Sequence, residues 1–215
     1  MTPRIYRRRK DWRGMLAIID YGAGNLRSVE NAFALLGVKT VVTSKASEIL
    51  SADHVVLPGV GAFQDAMEKL CETGLAEVVK EVVRRRIPLL GICLGLQLLF
   101  DSSEESPGVK GLSIFPGRVL RIPNREGLKV PHMGWNSLQR REDSRLLRGI
   151  PEEAYVYFVH SYYLQAEKPE IVAATTEYAV RIHAAVECGQ VFACQFHPEK
   201  SGETGLQILK NFSEL

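Results

Sequence analysis

The stretch Ile87-Pro88-Leu89-Leu90-Gly91-Ile92-Cys93-Leu94-Gly95-Leu96-Gln97-Leu98-Leu99-Phe100 decides how this chain is read. Residues 87–92 form a short run that is apolar almost throughout, as a strand buried on both faces of a parallel sheet should be. Leu94 to Phe100 reads as an apolar helix that follows directly. Between them, Gly91-Ile92-Cys93-Leu94-Gly95 has the form of a G-x-nucleophile-x-G elbow, with a thiol in place of the usual hydroxyl. The two glycines have a steric reason: a tight strand-to-helix turn brings neighbouring backbone so close that Cβ atoms would not fit. The placement also has an electrostatic one, because a thiol at a helix N-terminus sees partial positive charge that favours the thiolate. A lone cysteine is usually a small buried hydrophobe. In this setting Cys93 reads as a nucleophile.

Working outward, the same alternation of apolar runs and helical stretches recurs. Leu16–Asp20 reads as a strand, Leu26–Leu36 as a helix stopped by Gly37, Val41-Val42 and Asp53–Leu57 as strands, and 63–86 as a helix broken near Gly74. Strands alternating with helices predict a parallel sheet covered on both faces. Beyond about residue 101 the character changes to strands: Arg118–Ile122, a single run Tyr155–Leu164, Ile171–Thr176, and Ala184–Glu187 joined to Val191–Phe196 through a Cys188-Gly189 turn. A last helix is expected over Glu203–Phe212. The predicted fold class is therefore α/β: three layers, a mostly parallel central sheet with flanking helices and an added antiparallel strand region. Functional residues should sit at the carboxyl ends of the parallel strands.

Composition agrees with one domain over residues 15–215. The 215 residues are 46% hydrophobic and 24% charged, ordinary globular usage that excludes collagen-like and disordered classes. No window approaches the ~20 apolar residues of a membrane-spanning helix, so no membrane partner is expected. The net charge of +2 conceals an asymmetry: residues 1–14 carry six basic side chains against Asp11, which leaves the remainder at −3. Such a block reads as a solvated, flexible basic extension rather than a nucleic-acid arm. Cys71, Cys93, Cys188 and Cys194 form no C-x-x-C pair and no zinc-spaced cluster, so a reducing cytoplasm, no metal and no disulfides are expected.

A thiolate needs a base and an orienter. Of five histidines, His197 ends the run Val191–Phe196, is followed by Pro198, and has Glu199 two residues on. In extended chain i and i+2 point to the same side, so the carboxylate could hold the imidazole. Pro58-Gly59-Val60-Gly61 ends another parallel strand and should open beside Cys93. Backbone N–H groups at Val60 and Gly61, with that of Leu94, are the candidate oxyanion donors. Gln97 lies one helical turn after Cys93, placed to bind the amide or carboxylate of a small substrate. Cys71, Cys188 and Cys194 read as structural.

Together, Gly91-Ile92-Cys93-Leu94-Gly95-Leu96-Gln97 and Phe196-His197-Pro198-Glu199 resemble the class I (triad) glutamine amidotransferases, whose glutaminase domain has a flavodoxin-like sheet. The resemblance spans residues 15–215. It implies Cys93 as nucleophile, His197 as general acid/base, Glu199 as orienter, and a glutamine pocket formed by Gly59, Gln97, His160, Ser161 and Tyr162. No cofactor is implied. Five further stretches (Asp20–Leu26, Pro58–Phe63, Pro131–Asn136, Tyr157–Tyr162 and His197–Gly202) resemble the branch of that family that serves histidine biosynthesis. That branch passes ammonia to a cyclase subunit built as a (β/α)8 barrel, in a heterodimer. By resemblance Tyr21, Asn25, Met133, Trp135, Asn136 and Lys200 would face the cyclase. The Pro58–Gly61 backbone is expected to be poorly arranged for oxyanion binding until the partner and its nucleotide are bound. Alternative readings are a glutaminase subunit serving anthranilate, guanylate or pyridoxal phosphate synthesis, and a cysteine peptidase-like protein of similar architecture.

Overall fold

A computed structural model describes residues 14–215. The basic extension expected over residues 1–14 therefore lies, except for Gly14, outside the described residues. In chain order, the first half runs β1 (Leu16–Ile19), α1 (Leu26–Leu35), β2 (Thr40–Thr43), α2 (Ala46–Leu50), β3 (His54–Gly59), α3 (Phe63–Glu72), α4 (Leu75–Arg84), β4 (Leu89–Cys93) and α5 (Leu94–Leu98). The second half is dominated by strands: β5 (Ser102–Ser103), β6 (Gly117–Arg121), β7 (His132–Ser137), β8 (Gln139–Arg140), β9 (Tyr155–His160) and β10 (Tyr162–Ala166). It ends with β11 (Val172–Tyr178), β12 (Val180–Cys188), β13 (Val191–Cys194) and α6 (Gly202–Ser213).

The main sheet has eight strands in the order β2-β1-β3-β4-β13-β12-β11-β8. Strands β2, β1, β3, β4 and β13 are mutually parallel, and β12, β11 and β8 extend the sheet antiparallel. Side-chain alternation shows why the strands are apolar throughout. Ala17, Ile19, Val55, Leu57 and Leu89 enter one core, with α3, α4 and α5. Leu16, Ile18, Val56, Leu90, Ile92 and Phe192 enter the other, with α1 and α6. A period of two along strands covered on both faces requires apolar residues at both parities. The three-layer α/β architecture is the one expected, and no helix among the described residues is long and apolar enough to cross a membrane.

Several details differ from the sequence reading, among them the short strands β5 and β8 and the early start of β12 at Val180. The run Tyr155–Leu164 is two strands broken at Ser161: β9 pairs with β7, placing His160 opposite His132, whereas β10 pairs with β6, placing Tyr162 opposite Arg121. The helix after Cys93 ends at Leu98 rather than Phe100, because Leu99 and Phe100 close onto Leu96 and Gln97 carbonyls in a tighter turn. Strand β7 and helix α2 were not expected; Gly134 and the polar ends of His132-Met133-Gly134-Trp135-Asn136-Ser137 hide its alternation, and α2 is only five residues long. The turn between β12 and β13 is Gly189-Gln190, since Cys188 itself pairs with Val191.

Candidate active site

Cys93 ends β4 and caps α5 with φ 55° and ψ −107°, a region that L-residues rarely occupy. The conformation is held from both sides. A Cβ on Gly91 would lie 2.8 Å from the Gly95 carbonyl oxygen, and one on Gly95 would lie 1.9 Å from that of Leu57. Neither neighbour is a movable side chain. The elbow therefore depends on both glycines, as expected. Its register places Gly59 of β3 opposite Cys93 and Cys194 of β13 opposite Ile92. The nucleophile thus stands between the two strand ends that supply Pro58–Gly61 and His197.

His197 follows β13 and is fixed by its own N–H, which donates to the Tyr157 carbonyl at 2.9 Å. Its Nδ1 bonds Glu199 Oε1 at 2.8 Å, with both side chains almost wholly buried at 3% and 1% exposure. The carboxylate is the one expected, but the backbone between them is not extended. Pro198–Lys200 forms a single 3-10 turn, and this turn carries Glu199 back under the ring. Nε2 of His197 is buried without a hydrogen-bond partner, and the ring and Cys93 line the same cavity. Burial by itself would lower the His197 pKa. Interaction with Cys93 and the bond and charge of Glu199 outweigh it and raise the value to about 9. The imidazolium is the stable form at neutral pH.

The cavity has a volume of about 450 Å³ and takes its walls from several elements. Of the expected residues it gathers Val60, Gly61, Cys93, Leu94, Gln97, His160, Ser161, Tyr162, His197 and Lys200. Gly59 lies behind it rather than on its wall, where a Cβ would meet the Tyr21 hydroxyl at 2.8 Å and Gly95 N at 2.9 Å. Leu94 opens α5, so its N–H has no acceptor within the helix. Gly61 has φ +97°, a backbone state suited to glycine, next to a Val60 that is 42% exposed.

Gln97 is buried, and its amide is largely committed. Nε2 donates to the Tyr162 carbonyl at 3.1 Å and to Gln195 Oε1 at 3.0 Å. An amide nitrogen has two protons, so only Oε1 remains for a ligand, and Oε1 accepts. Gln97 can therefore receive an N–H from substrate, such as an ammonium or amide group, but cannot serve a carboxylate. This narrows the role expected from its spacing. At the same Tyr162 carbonyl His160 is neutral, with burial driving its pKa down to about 3 despite a bond from Nδ1 to that oxygen at 2.9 Å. His132 stacks between Phe158 and Tyr178 and lies 3.1 Å from His160 Nε2 through Nδ1, its pKa lowered by burial to about 4. Two neutral imidazoles thus brace this wall.

Of the residues expected on a partner surface, Met133 and Trp135 stand on the same side of β7 and are 63% and 55% exposed. Asn25 and Asn136 are half-buried, with Asn136 tied to the Glu177 carbonyl at 3.0 Å, and Lys200 is exposed at the cavity mouth. Tyr21 corrects that set. It is only 3% exposed and its hydroxyl packs against Gly59, which leaves it no surface to offer. The reason is that its ring fills the space made by the glycine. The sequence reading also missed Gln195, wholly buried beside Cys93, and the wall residues Glu105, Pro131 and Val159. Gln195 had a usable signal: it is an amide in an otherwise apolar strand end two residues before His197. Cys71 and Cys188 are free and exposed; Cys194 is free, and burial pushes its thiol well up, so it is the less reactive buried sulfur.

A model of the class I glutamine amidotransferase family matches residues 17–214. The chain belongs to this family. Among curated relatives, it is 55% identical over 201 residues to the imidazole glycerol phosphate synthase subunit HisH of Methanothermobacter thermautotrophicus, covering 94% of this chain and 98% of the relative. It is 52% identical to the protein of the same name from Caldanaerobacter subterraneus, again over 94% and 98% of the two chains. Solved structures share the fold at much lower identity. A glutamine amidotransferase crystal structure superposes with a TM-score of 0.72 at 19% identity, covering 94% of this chain and 100% of that one. PurLQS from Thermotoga maritima superposes with a TM-score of 0.70 at 20% identity, covering 93% and 97%. As a class I glutamine amidotransferase the chain is an enzyme.

Proposed function

We propose that this chain is the glutaminase subunit of an imidazole glycerol phosphate synthase, acting through Cys93, His197 and Glu199. The observation that carries the proposal is the buried Glu199–His197 pair, whose free Nε2 shares a cavity with a strained, glycine-flanked cysteine. In this reading the reaction runs through the following steps. The Cys93 thiolate adds to the side-chain carbonyl carbon of glutamine, and the oxyanion lies toward the N–H groups of Leu94 and of Val60 or Gly61. His197 gives its Nε2 proton to the departing nitrogen, the C–N bond breaks, and ammonia and a glutamyl thioester remain. His197 then takes a proton from water, whose oxygen attacks the thioester. The C–S bond breaks, and glutamate leaves with the thiolate restored. Glu199 holds the ring and balances its charge throughout. Gln97 Oε1 receives the substrate ammonium.

The domain over residues 15–215 is taken up by this chemistry, so in this reading the ammonia acceptor is a partner. Ammonia released to water at neutral pH would mostly protonate and lose nucleophilicity, which favours a dry transfer. The exposed apolar pair Met133 and Trp135 lies on β7, whose Met133 pairs with the cavity residue Val159, so a partner seated there would cover the site. The partner in this reading is the (β/α)8-barrel cyclase HisF, in a cytoplasmic heterodimer, with Asn25, Asn136 and Lys200 near the contact. The Pro58–Gly61 backbone completes oxyanion binding only when cyclase and nucleotide are bound. Steady-state glutamate release with and without HisF and its nucleotide tests the reading. Strong stimulation, absent in Cys93→Ala, is expected; equal rates in all conditions would refute the coupling, and activity in Cys93→Ala would refute the mechanism.

A further inference from the structure

Gln195 takes no part in the triad, yet it is wholly buried and touches the nucleophile: its Nε2 lies 3.6 Å from Cys93 Sγ. The orientation of its amide follows from its neighbours. The Tyr162 backbone carbonyl can only accept, so the Gln97 atom 3.1 Å away is nitrogen. The second proton of that nitrogen points to Gln195 at 3.0 Å, and the atom receiving it must be the Gln195 oxygen. The nitrogen of Gln195 is then left facing sulfur. The backbone of Gln195 is pinned as well, its N–H donating to the Ala184 carbonyl at 2.8 Å. No rotation of the amide satisfies both Gln97 and a reversed orientation, because that would set two N–H groups against each other.

We propose that Gln195 is a further catalytic residue of the glutaminase reaction, a fixed N–H donor to the Cys93 sulfur, with Gln97 as the residue that positions it. This rests on Cys93 being the nucleophile. The donor matters most when the sulfur carries charge: as it attacks the substrate, and when the C–S bond of the thioester breaks and the electron pair returns to sulfur. The His197 ring lines the same cavity, so its charge and the Gln195 donor both act on the one sulfur. A donor held in a buried site costs no reorganisation when that charge develops. Gln97 couples this to the substrate pocket, since one amide both lines the cavity and fixes the amide behind the sulfur.

Two substitutions separate this role from packing. Gln195→Met keeps the length of the side chain and removes the donor. Gln195→Glu keeps an oxygen for Gln97 and replaces the donor with an oxygen that repels the thiolate. Each variant, with wild type, is assayed as the complex with HisF for kcat and KM, and for the rate of Cys93 alkylation by iodoacetamide at pH 7. We expect kcat and alkylation to fall about tenfold in Gln195→Met and about a hundredfold in Gln195→Glu, with KM within about threefold of wild type. Circular dichroism and the urea midpoint establish that the variants are folded, and Gln195→Met alone decides should Gln195→Glu fail to fold. A Gln195→Met enzyme with wild-type kcat and alkylation overturns the proposal, as does Gln195→Glu outperforming Gln195→Met. A wild-type complex whose Cys93 alkylation is indifferent to glutamine overturns the nucleophile assignment itself, a separate outcome.

Discussion

Replacing Gly95 by alanine adds a single carbon where the elbow has no space for one. That carbon would lie 1.9 Å from the Leu57 carbonyl oxygen and 3.0 Å from its carbon. Leu57 belongs to β3 and pairs with Gly91 in the middle of the sheet, so it cannot yield. Helix α5 must retreat instead. Reaching even 3.0 Å, the shortest approach that real Cβ atoms make, requires a shift of at least 1.1 Å. Cys93 caps α5 and moves with it, whereas His197 is held by Tyr157 and Glu199 and does not. A misplacement of ~1 Å between reacting groups costs about a hundredfold in rate, and forced overpacking about 1–3 kcal/mol in stability. Coupled detection of glutamate release and urea unfolding measure the two losses. Gly108→Ala serves as the control: its φ is +89° and no atom lies within 4 Å of the added carbon, so it should cost about 1 kcal/mol and leave turnover unchanged. Wild-type turnover and urea midpoint in Gly95→Ala would refute the steric account of the elbow.

Three further outcomes are expected. The His197 pKa is raised from about 6.5 to about 9, so its protonation stabilises the fold fully below pH 6.5 and this contribution disappears as pH rises through 9. The stability gap between wild type and His197→Asn, from urea titrations across that window, should shrink by on the order of 3 kcal/mol; a gap that grows with pH would contradict the assignment. Glu199→Gln keeps the shape but loses the charge that supports the imidazolium, and kcat should fall about a hundredfold with KM little changed. Trp135→Ala removes the larger exposed ring of β7 and should weaken HisF binding at least tenfold by calorimetry, with the fold intact by circular dichroism.

The parts of the site legible in the sequence are those whose geometry is local. The elbow at Cys93 is set by Gly91 and Gly95, two residues either side, and the His197–Glu199 contact spans one turn of chain, so residue spacing carries both. Even there the contact was right for a reason that the structure replaces: a 3-10 turn at Pro198 rather than extended backbone. The strands that alternate between two cores were readable because each is apolar at both parities. What escaped depends on tertiary partners. The break at Ser161 separates two sheets within one β-rich run, and nothing in Tyr155–Leu164 marks it. Tyr21 looks like a surface aromatic until Gly59 is seen to make room for it. The orientation of the Gln195 amide is set by Gln97, 98 residues earlier.

The central claim is that Cys93 is the nucleophile, and a chloroketone analogue of glutamine tests it most directly. Intact mass spectrometry followed by peptide mapping should find one adduct per chain, on the peptide holding Cys93, formed more slowly as glutamine is added. Adducts spread over the exposed Cys71 and Cys188 and indifferent to glutamine, with Cys93 untouched, would contradict the account.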